Sequence, residues 1–220
     1  MNVGLLEDCI KILGQIILAS EEVNDYYDVT ENRVPREQLV KAVSRLPAIN
    51  GDGVAIDCGC GAGSIIAYLR ENDLTVHGFD LEAESIERCQ RRFAGDARVH
   101  LTQATFRDFD YPKADLIVAD ASLFFCPRDD FPLVWEKITH ALQPGGNFFG
   151  GFLGPNDTMA TDQYDKEVFW PEVRTFVEPE LRPIFNDFEI IDWIEHEIDG
   201  KTAQGQDHHW HIFSVIAIKR

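Results

Sequence analysis

Three glycines at alternate positions mark the chemistry of this chain. In Ala55-Ile56-Asp57-Cys58-Gly59-Cys60-Gly61-Ala62-Gly63 an apolar run meets a glycine loop, and a helical pattern follows from Ser64. Glycine lets the backbone turn with positive φ and lets its N–H groups approach a ligand closely. The next apolar run, Leu74 to Phe79, ends in Asp80. A carboxylate there can accept hydrogen bonds from both vicinal hydroxyls of a ribose. Loop and carboxylate together read as an adenosine site at the carboxyl ends of the first strands.

Dinucleotide sites prefer G-x-G-x-x-G, with pyrophosphate on the helix N-terminus. Here the spacing is Gly59-x-Gly61-x-Gly63, and Ser64 stands where the third dinucleotide glycine would fall. Asp57 precedes the first glycine by two positions. Its carboxylate is awkward beside pyrophosphate and suits a cationic amino-acid moiety. That favours S-adenosylmethionine, whose methionyl end carries an ammonium and a sulfonium.

Catalysis points elsewhere, to His208, His209 and His211. Strand alternation sets His209 and His211 on one face and His208 with Trp210 on the other. His209 and His211 are the candidates for a substrate rim or a base. Two histidines are also a partial metal set, but the sequence offers no third ligand. Phe124 and Phe125, after the fourth strand, are candidates to line an acceptor pocket, whereas Trp135 sits in a helical pattern that suits a core.

The elements that must position these groups alternate. Strands are expected over 54–57, 74–79, 99–103, 114–119 and 147–152. Helices are expected over 36–46, 64–70, 83–93 and 131–142, with a loop over 26–35 and a turn at Pro144-Gly145-Gly146. Strands alternating with helices imply a parallel sheet covered on both faces. After a short helix over 178–185 come two strands, 188–197 and 209–218, joined by too few residues for a crossover. They must form an antiparallel hairpin. The expected fold is α/β: a doubly wound, mostly parallel seven-stranded sheet with a C-terminal antiparallel hairpin strand.

Bulk properties narrow the partners. The 220 residues suit one domain with a real core, since 45% are hydrophobic. Acidic residues outnumber basic ones, 38 to 20, for a net charge of -18. Such a surface repels phosphate backbones, so nucleic acid is not an expected partner. Five cysteines, an odd number, suggest a reduced protein. Cys58-x-Cys60 lacks the second pair a zinc site needs, so no metal is expected. Leu6, Ile10, Leu13 and Ile17 form an amphipathic helix, too short and too charged for a signal or membrane span. A cytoplasmic protein is expected. The division is an N-terminal helical extension over 1–23 and a main domain over 24–220. The extension packs on its own domain or pairs two copies as a homodimer.

On these residues the chain resembles the class I S-adenosylmethionine-dependent methyltransferases. Ala114-Asp115-Leu116-Ile117-Val118-Ala119-Asp120-Ala121-Ser122 is similar to the family's fourth strand and methyl-bordering loop. Leu142-Gln143-Pro144-Gly145-Gly146 is similar to its turn before the fifth strand. Asp199 to Ala203 and His209 to Phe213 resemble a subgroup of small bacterial methyltransferases, some labelled tellurite-resistance-like. The resemblance covers about 24–220. It implies that Gly59, Cys60 and Gly61 meet the methionyl portion by backbone. It implies that Asp57 orients the loop, or the ammonium through a water, and that Asp80 binds ribose. Leu81, Thr105 and Phe106 would then flank adenine, and Asp120 would lie near the methionyl end. Thr105 departs from the acidic residue often found at its position. Tyr27 and Arg33 would lie over the cofactor, Arg33 toward its carboxylate and Tyr27 toward the substrate.

The expected activity is methyl transfer to a small molecule, with S-adenosylhomocysteine as product. Asp120-Ala121-Ser122-Leu123 lacks the Asn/Asp-Pro-Pro-aromatic pattern of enzymes that methylate nucleic-acid amino groups. The alternatives are a non-catalytic S-adenosylmethionine-binding module, a protein methyltransferase and a nicotinamide-dependent oxidoreductase.

Overall fold

The computed structural model describes residues 26–46, 53–162 and 173–220. The expected extension over 1–23 lies outside them. Seven strands form one sheet: β1 (Val54–Cys58), β2 (Thr75–Asp80), β3 (Val99–Gln103), β4 (Ala114–Ala119), β5 (Leu142–Leu153), β6 (Phe188–Lys201) and β7 (Asp207–Lys219). Their order is β3-β2-β1-β4-β5-β7-β6. The first five run parallel, and β7 inserts antiparallel between β5 and β6. Order reverses between β1 and its two neighbours. In open α/β sheets the crevice beyond the strand ends at such a point is where ligands bind.

Helices cover both faces. Residues 26–30 are helical (α1), followed by α2 (Glu37–Ser44), α3 (Ser64–Glu71), α4 (Ala83–Arg92), α5 (Phe131–Ala141) and α6 (Glu178–Leu181). On one face Leu39 and Ala42 of α2, Ile66 and Leu69 of α3, and Ile86 and Cys89 of α4 pack on Ala55, Val76, Leu116 and Phe149. The other face is aromatic. There Phe131 and Trp135 of α5 meet Phe148, Phe152, Phe185 and Phe188. Trp135 is core, as its helical position suggested, and its indole N–H donates to the Ile184 carbonyl at 3.0 Å.

Three local expectations are corrected. The segment 26–30 is helical rather than loop, with the Thr30 hydroxyl bonded back to the Tyr26 carbonyl at 2.7 Å. Pro144-Gly145-Gly146 lies within the span of β5 at a register shift against β4. Gly145 takes φ +81° there, a conformation that spares it the side-chain clash another residue would meet. The terminal hairpin is longer than expected, so that only five residues, 202–206, join its strands. Its distal end stands beyond β5. Among the described residues no helix is long and apolar enough to cross a membrane.

Candidate functional site

The glycine loop bridges β1 and α3. Gly59 and Cys60 both donate their N–H to the Phe79 carbonyl of β2 at 2.9 Å, which folds the loop over the strand ends. All three glycines have positive φ. At Gly59 the close approach is absolute: a Cβ would stand 2.7 Å from that of Ser122. The Ser122 hydroxyl in turn donates to the Cys58 carbonyl at 2.5 Å. Before it, Ala121 holds φ +55° without being glycine, strain of the kind that gathers at functional sites.

Asp57 is fully buried beneath this loop, and neither of its carboxylate oxygens has a hydrogen-bond partner. Burial raises its proton affinity well above the ordinary carboxylate range, and the charges of Asp120 and Asp80 add to this. Asp80 caps the crevice. It accepts the Gly61 N–H at 2.9 Å and the Glu82 N–H at 3.0 Å, which leaves each oxygen a free lone pair.

A cavity of ≈ 1710 Å³ opens in front of these groups. Single-ligand pockets span roughly 300–1,000 Å³, so this one has room for two molecules side by side. One end is lined by Gly59, Gly61, Asp80, Leu81, Thr105 and Phe106. Leu81 is 44% exposed, an apolar side chain turned to the crevice. Thr105 donates its hydroxyl to Asp108 at 2.7 Å, and Asp108 also lines the cavity. Asp108 thus places a carboxylate on this wall three residues after Thr105.

The middle is roofed by α1 and the segment after it. Tyr27 is buried, with a ring carbon 3.8 Å from where a Gly61 Cβ would lie. Burial, reinforced by Asp80 and Glu82, raises the affinity of its hydroxyl for the proton. Arg33 is exposed on the same wall. Arg36, which the sequence did not single out, pairs with Asp120 at 3.2 Å. Burial raises the proton affinity of Asp120, while Arg36 and Arg33 oppose that rise.

The far end is aromatic and comes from three elements. Phe124 and Phe125 follow β4, Thr158 and Met159 follow β5, and His196, Ile198, His208, Trp210 and Ile212 project from the hairpin. Five residues of the sequence reading stand off this cavity, and one of them, Cys60, borders only a smaller recess behind the loop. Asp57 and Gly63 lie beneath the loop, where a Gly63 Cβ would stand 2.8 Å from the Phe93 ring. The other two, His209 and His211, require a correction.

Alternation along β7 holds, but it is the opposite face that looks into the cavity. His209 pairs with Asp199 at 2.7 Å and His211 with Glu195 at 3.0 Å, both on the outer face. Glu195 and Glu197 supply the carboxylates near His211 that the sequence did not reveal. His211 accepts the Asn156 N–H through Nδ1 at 3.2 Å, so its Nε2 carries the proton and donates to Glu195. These groups are engaged with one another as hydrogen bonds.

The four described cysteines are buried and free. Burial pushes the Cys58 thiol up, and the neighbouring Cys89 together with burial does the same for Cys60. Cys60 borders a small annex behind the loop, beside Tyr26 and Arg33.

Comparisons with known proteins agree with this geometry. Residues 55–146 match the Methyltransferase domain family. A carboxy-S-adenosyl-L-methionine synthase of Glaesserella parasuis serovar 5 is 25% identical, over 62% of this chain and 61% of its own length. A malonyl-[acyl-carrier protein] O-methyltransferase of Enterobacter lignolyticus is 30% identical, over 52% of this chain and 44% of its own. The chain thus spans about three fifths or less of these relatives. TehB from Haemophilus influenzae shares the fold at TM-score 0.66 and 19% identity, with 84% of this chain and 63% of that one covered. A 1,6-didemethyltoxoflavin-N1-methyltransferase from Burkholderia thailandensis, solved with S-adenosylhomocysteine, shares it at TM-score 0.60 and 21% identity, with 93% and 88% covered. Over its matched domain and in its strand order, the chain is thus similar to S-adenosylmethionine-dependent methyltransferases.

Proposed function

We propose that this protein binds S-adenosylmethionine and transfers its methyl group to a small-molecule acceptor. The observation that carries the reading is Asp57, a buried carboxylate without a partner beneath a glycine loop. A buried, unpaired carboxylate is costly unless a cation offsets it. The ammonium of a methionyl group above the loop, linked through a water, would offset that charge, and a pyrophosphate in the same loop would add repulsion.

The bound sulfonium supplies an activated methyl carbon, and the chain's residues align and dry the site around it. Gly59, Cys60 and Gly61 meet the methionyl group by backbone, with Asp120 at its flank. Arg33 faces its carboxylate. Asp80 accepts the ribose hydroxyls. Leu81 and Phe106 sandwich adenine, and the Thr105–Asp108 pair takes its amino group. Phe124 and Phe125 wall the acceptor side, with Tyr27 at the border. The reading includes a domain over 24–220, an extension over 1–23 that packs on this domain or pairs two copies, and a cytoplasmic site of action. The net charge of -18 favours an acceptor other than nucleic acid.

Thermal unfolding with S-adenosylmethionine, S-adenosylhomocysteine and NADH tests the reading. A ligand at a hundred times its dissociation constant adds about 2.7 kcal/mol to a native state that alone binds it. Both adenosyl ligands are expected to raise the midpoint and NADH is not. No shift with either adenosyl ligand overturns the reading.

A further inference from the structure

The acceptor end of the cavity contains a hydrogen-bonded pair that cofactor binding does not explain. Asp157 is fully buried in the segment after β5, and its Oδ1 lies 2.8 Å from Nε2 of His208 on β7. The carboxylate is fixed from other directions as well. Oδ1 accepts the Met159 N–H at 3.0 Å, and Oδ2 accepts the His211 N–H at 2.9 Å. The neighbouring Thr158 hydroxyl accepts the His209 N–H at 2.9 Å, which pins the segment along the strand.

A carboxylate only accepts hydrogen bonds, so the proton between the two side chains sits on Nε2. His208 is thereby held in one tautomer, with the Nδ1 lone pair bare. No hydrogen bond engages Nδ1 among the described residues, and His208 lines the cavity. The ring is held in place by Trp210, with centroids 3.9 Å apart. Phe124, Met159 and Ile212 complete an apolar surround. A carboxylate that orients an imidazole and leaves its other nitrogen free is the arrangement of a general base.

Resting on the methyl-transfer reading, we propose that His208 is the catalytic base, that Asp157 is its positioning residue, and that the acceptor is a planar aromatic hydroxyl compound. A phenol keeps most of its proton at neutral pH and needs a base, whereas an aromatic amine is neutral there and presents its own lone pair. An aromatic ring also suits walls made of Trp210 and Phe124. The step balances within the site. Nδ1 takes the hydroxyl proton, and the oxygen's electron pair forms the new O–C bond. The C–S bond breaks with its pair returning to sulfur, and the sulfonium becomes a neutral thioether. The imidazolium left behind is stabilised by Asp157 until solvent removes its proton.

The test uses the full chain saturated with S-adenosylhomocysteine and the probe 4-nitrophenol, at a pH below that at which the phenol ionises in water. Wild type is expected to bind the probe and show its yellow phenolate band. His208→Gln is expected to bind S-adenosylhomocysteine with unchanged affinity by calorimetry and to show no band. Glutamine can still donate to Asp157, so that affinity also reports an intact fold. Asp157→Asn tests positioning: ¹⁵N spectra of the histidine rings are expected to lose the single Nε2–H tautomer of His208. Wild type that binds S-adenosylhomocysteine but does not bind the phenol, or binds it without the band, overturns the base while leaving the cofactor reading intact. A band that survives in His208→Gln does the same. Failure of wild type to bind S-adenosylhomocysteine overturns the cofactor reading and this proposal with it. With a phenolic acceptor in turnover, the loss in kcat for His208→Gln is expected at about 10²–10⁴-fold.

Discussion

Strand β7 carries histidines on both faces, and the two faces treat them differently. On the inner face His208 is buried, lines the cavity and is held through one nitrogen by one buried carboxylate. On the outer face His209 meets Asp199 and Glu197, and His211 meets Glu195 and Asn156, so both rings spend their nitrogens on neighbours. The difference lies in supply. Outward, β6 offers a carboxylate at every second position, Glu195, Glu197 and Asp199, directly across the hairpin. Inward, the same strand offers His196, Ile198 and Gly200, none of them acidic, and the single carboxylate comes from the segment after β5. A histidine with one partner is available for chemistry. One with two is part of the scaffold.

The largest expected effect separates the faces directly. His208→Gln should abolish the phenolate band of bound 4-nitrophenol, whereas His209→Gln should leave it; equal loss in both would erase the distinction. The second tests whether the faces communicate. Gly154 lies so close to the His211 ring that an added Cβ would stand 2.3 Å from it. Gly154→Ala should expel the ring and destabilise the protein by about 1–3 kcal/mol in urea denaturation. Because the His211 N–H also holds Asp157, the same change should weaken the band.

A third prediction carries the contrast to the cofactor end, where Asp57 has no partner. Burial raises its proton affinity, and a cationic ligand bound nearby should lower it again. Calorimetry of S-adenosylhomocysteine binding in buffers of different ionisation enthalpy should show proton release. Asp57→Asn should remove it.

The smallest effect belongs to the outer face. The Asp199 hydrogen bond raises the proton affinity of His209, so its stabilising share is full below the unfolded pKa of about 6.5 and is lost as pH rises through the higher folded value. The Asn156 hydrogen bond lowers that of Glu197, so its share is present above the unfolded value and is lost as pH falls through the lower folded one. Both groups are exposed, so the pH dependence of the unfolding midpoint should change only slightly in His209→Gln.

Much of this arrangement was legible in the sequence. Glycine spacing and the strand-end Asp80 pointed to one end of the cavity, because tight turns demand particular residues. The antiparallel hairpin followed from a connection too short to cross over. The inner face of β7 was not legible: a period of two sorts residues into two sets, and only the neighbouring strands decide which set turns inward. Asp157 was equally hidden, since an aspartate after a strand reads as a turn residue until β7 is laid beside it. The α1 segment carries Asp28 and Thr30 among aromatics, without the apolar period that marks a helix. Arg36 gained its meaning only when Asp120, distant in sequence, came within 3.2 Å.

The insertion of β7 between β5 and β6 also has a consequence during synthesis. When the ribosome has released the chain only through Leu153, the crevice at the glycine loop has all its strands, but one side of β5 has nothing to pair with. That edge carries Phe148, Phe149 and Phe152 beside unsatisfied backbone groups. It remains open while β6, its eventual second neighbour in the sheet, emerges first. Exposed apolar edges of this kind invite pairing with other chains. The strand that brings His208 to the cavity is thus also the one that closes the nascent protein to its neighbours, and a stalled chain lacking β7 should depend on chaperones in proportion to the time the edge stays bare.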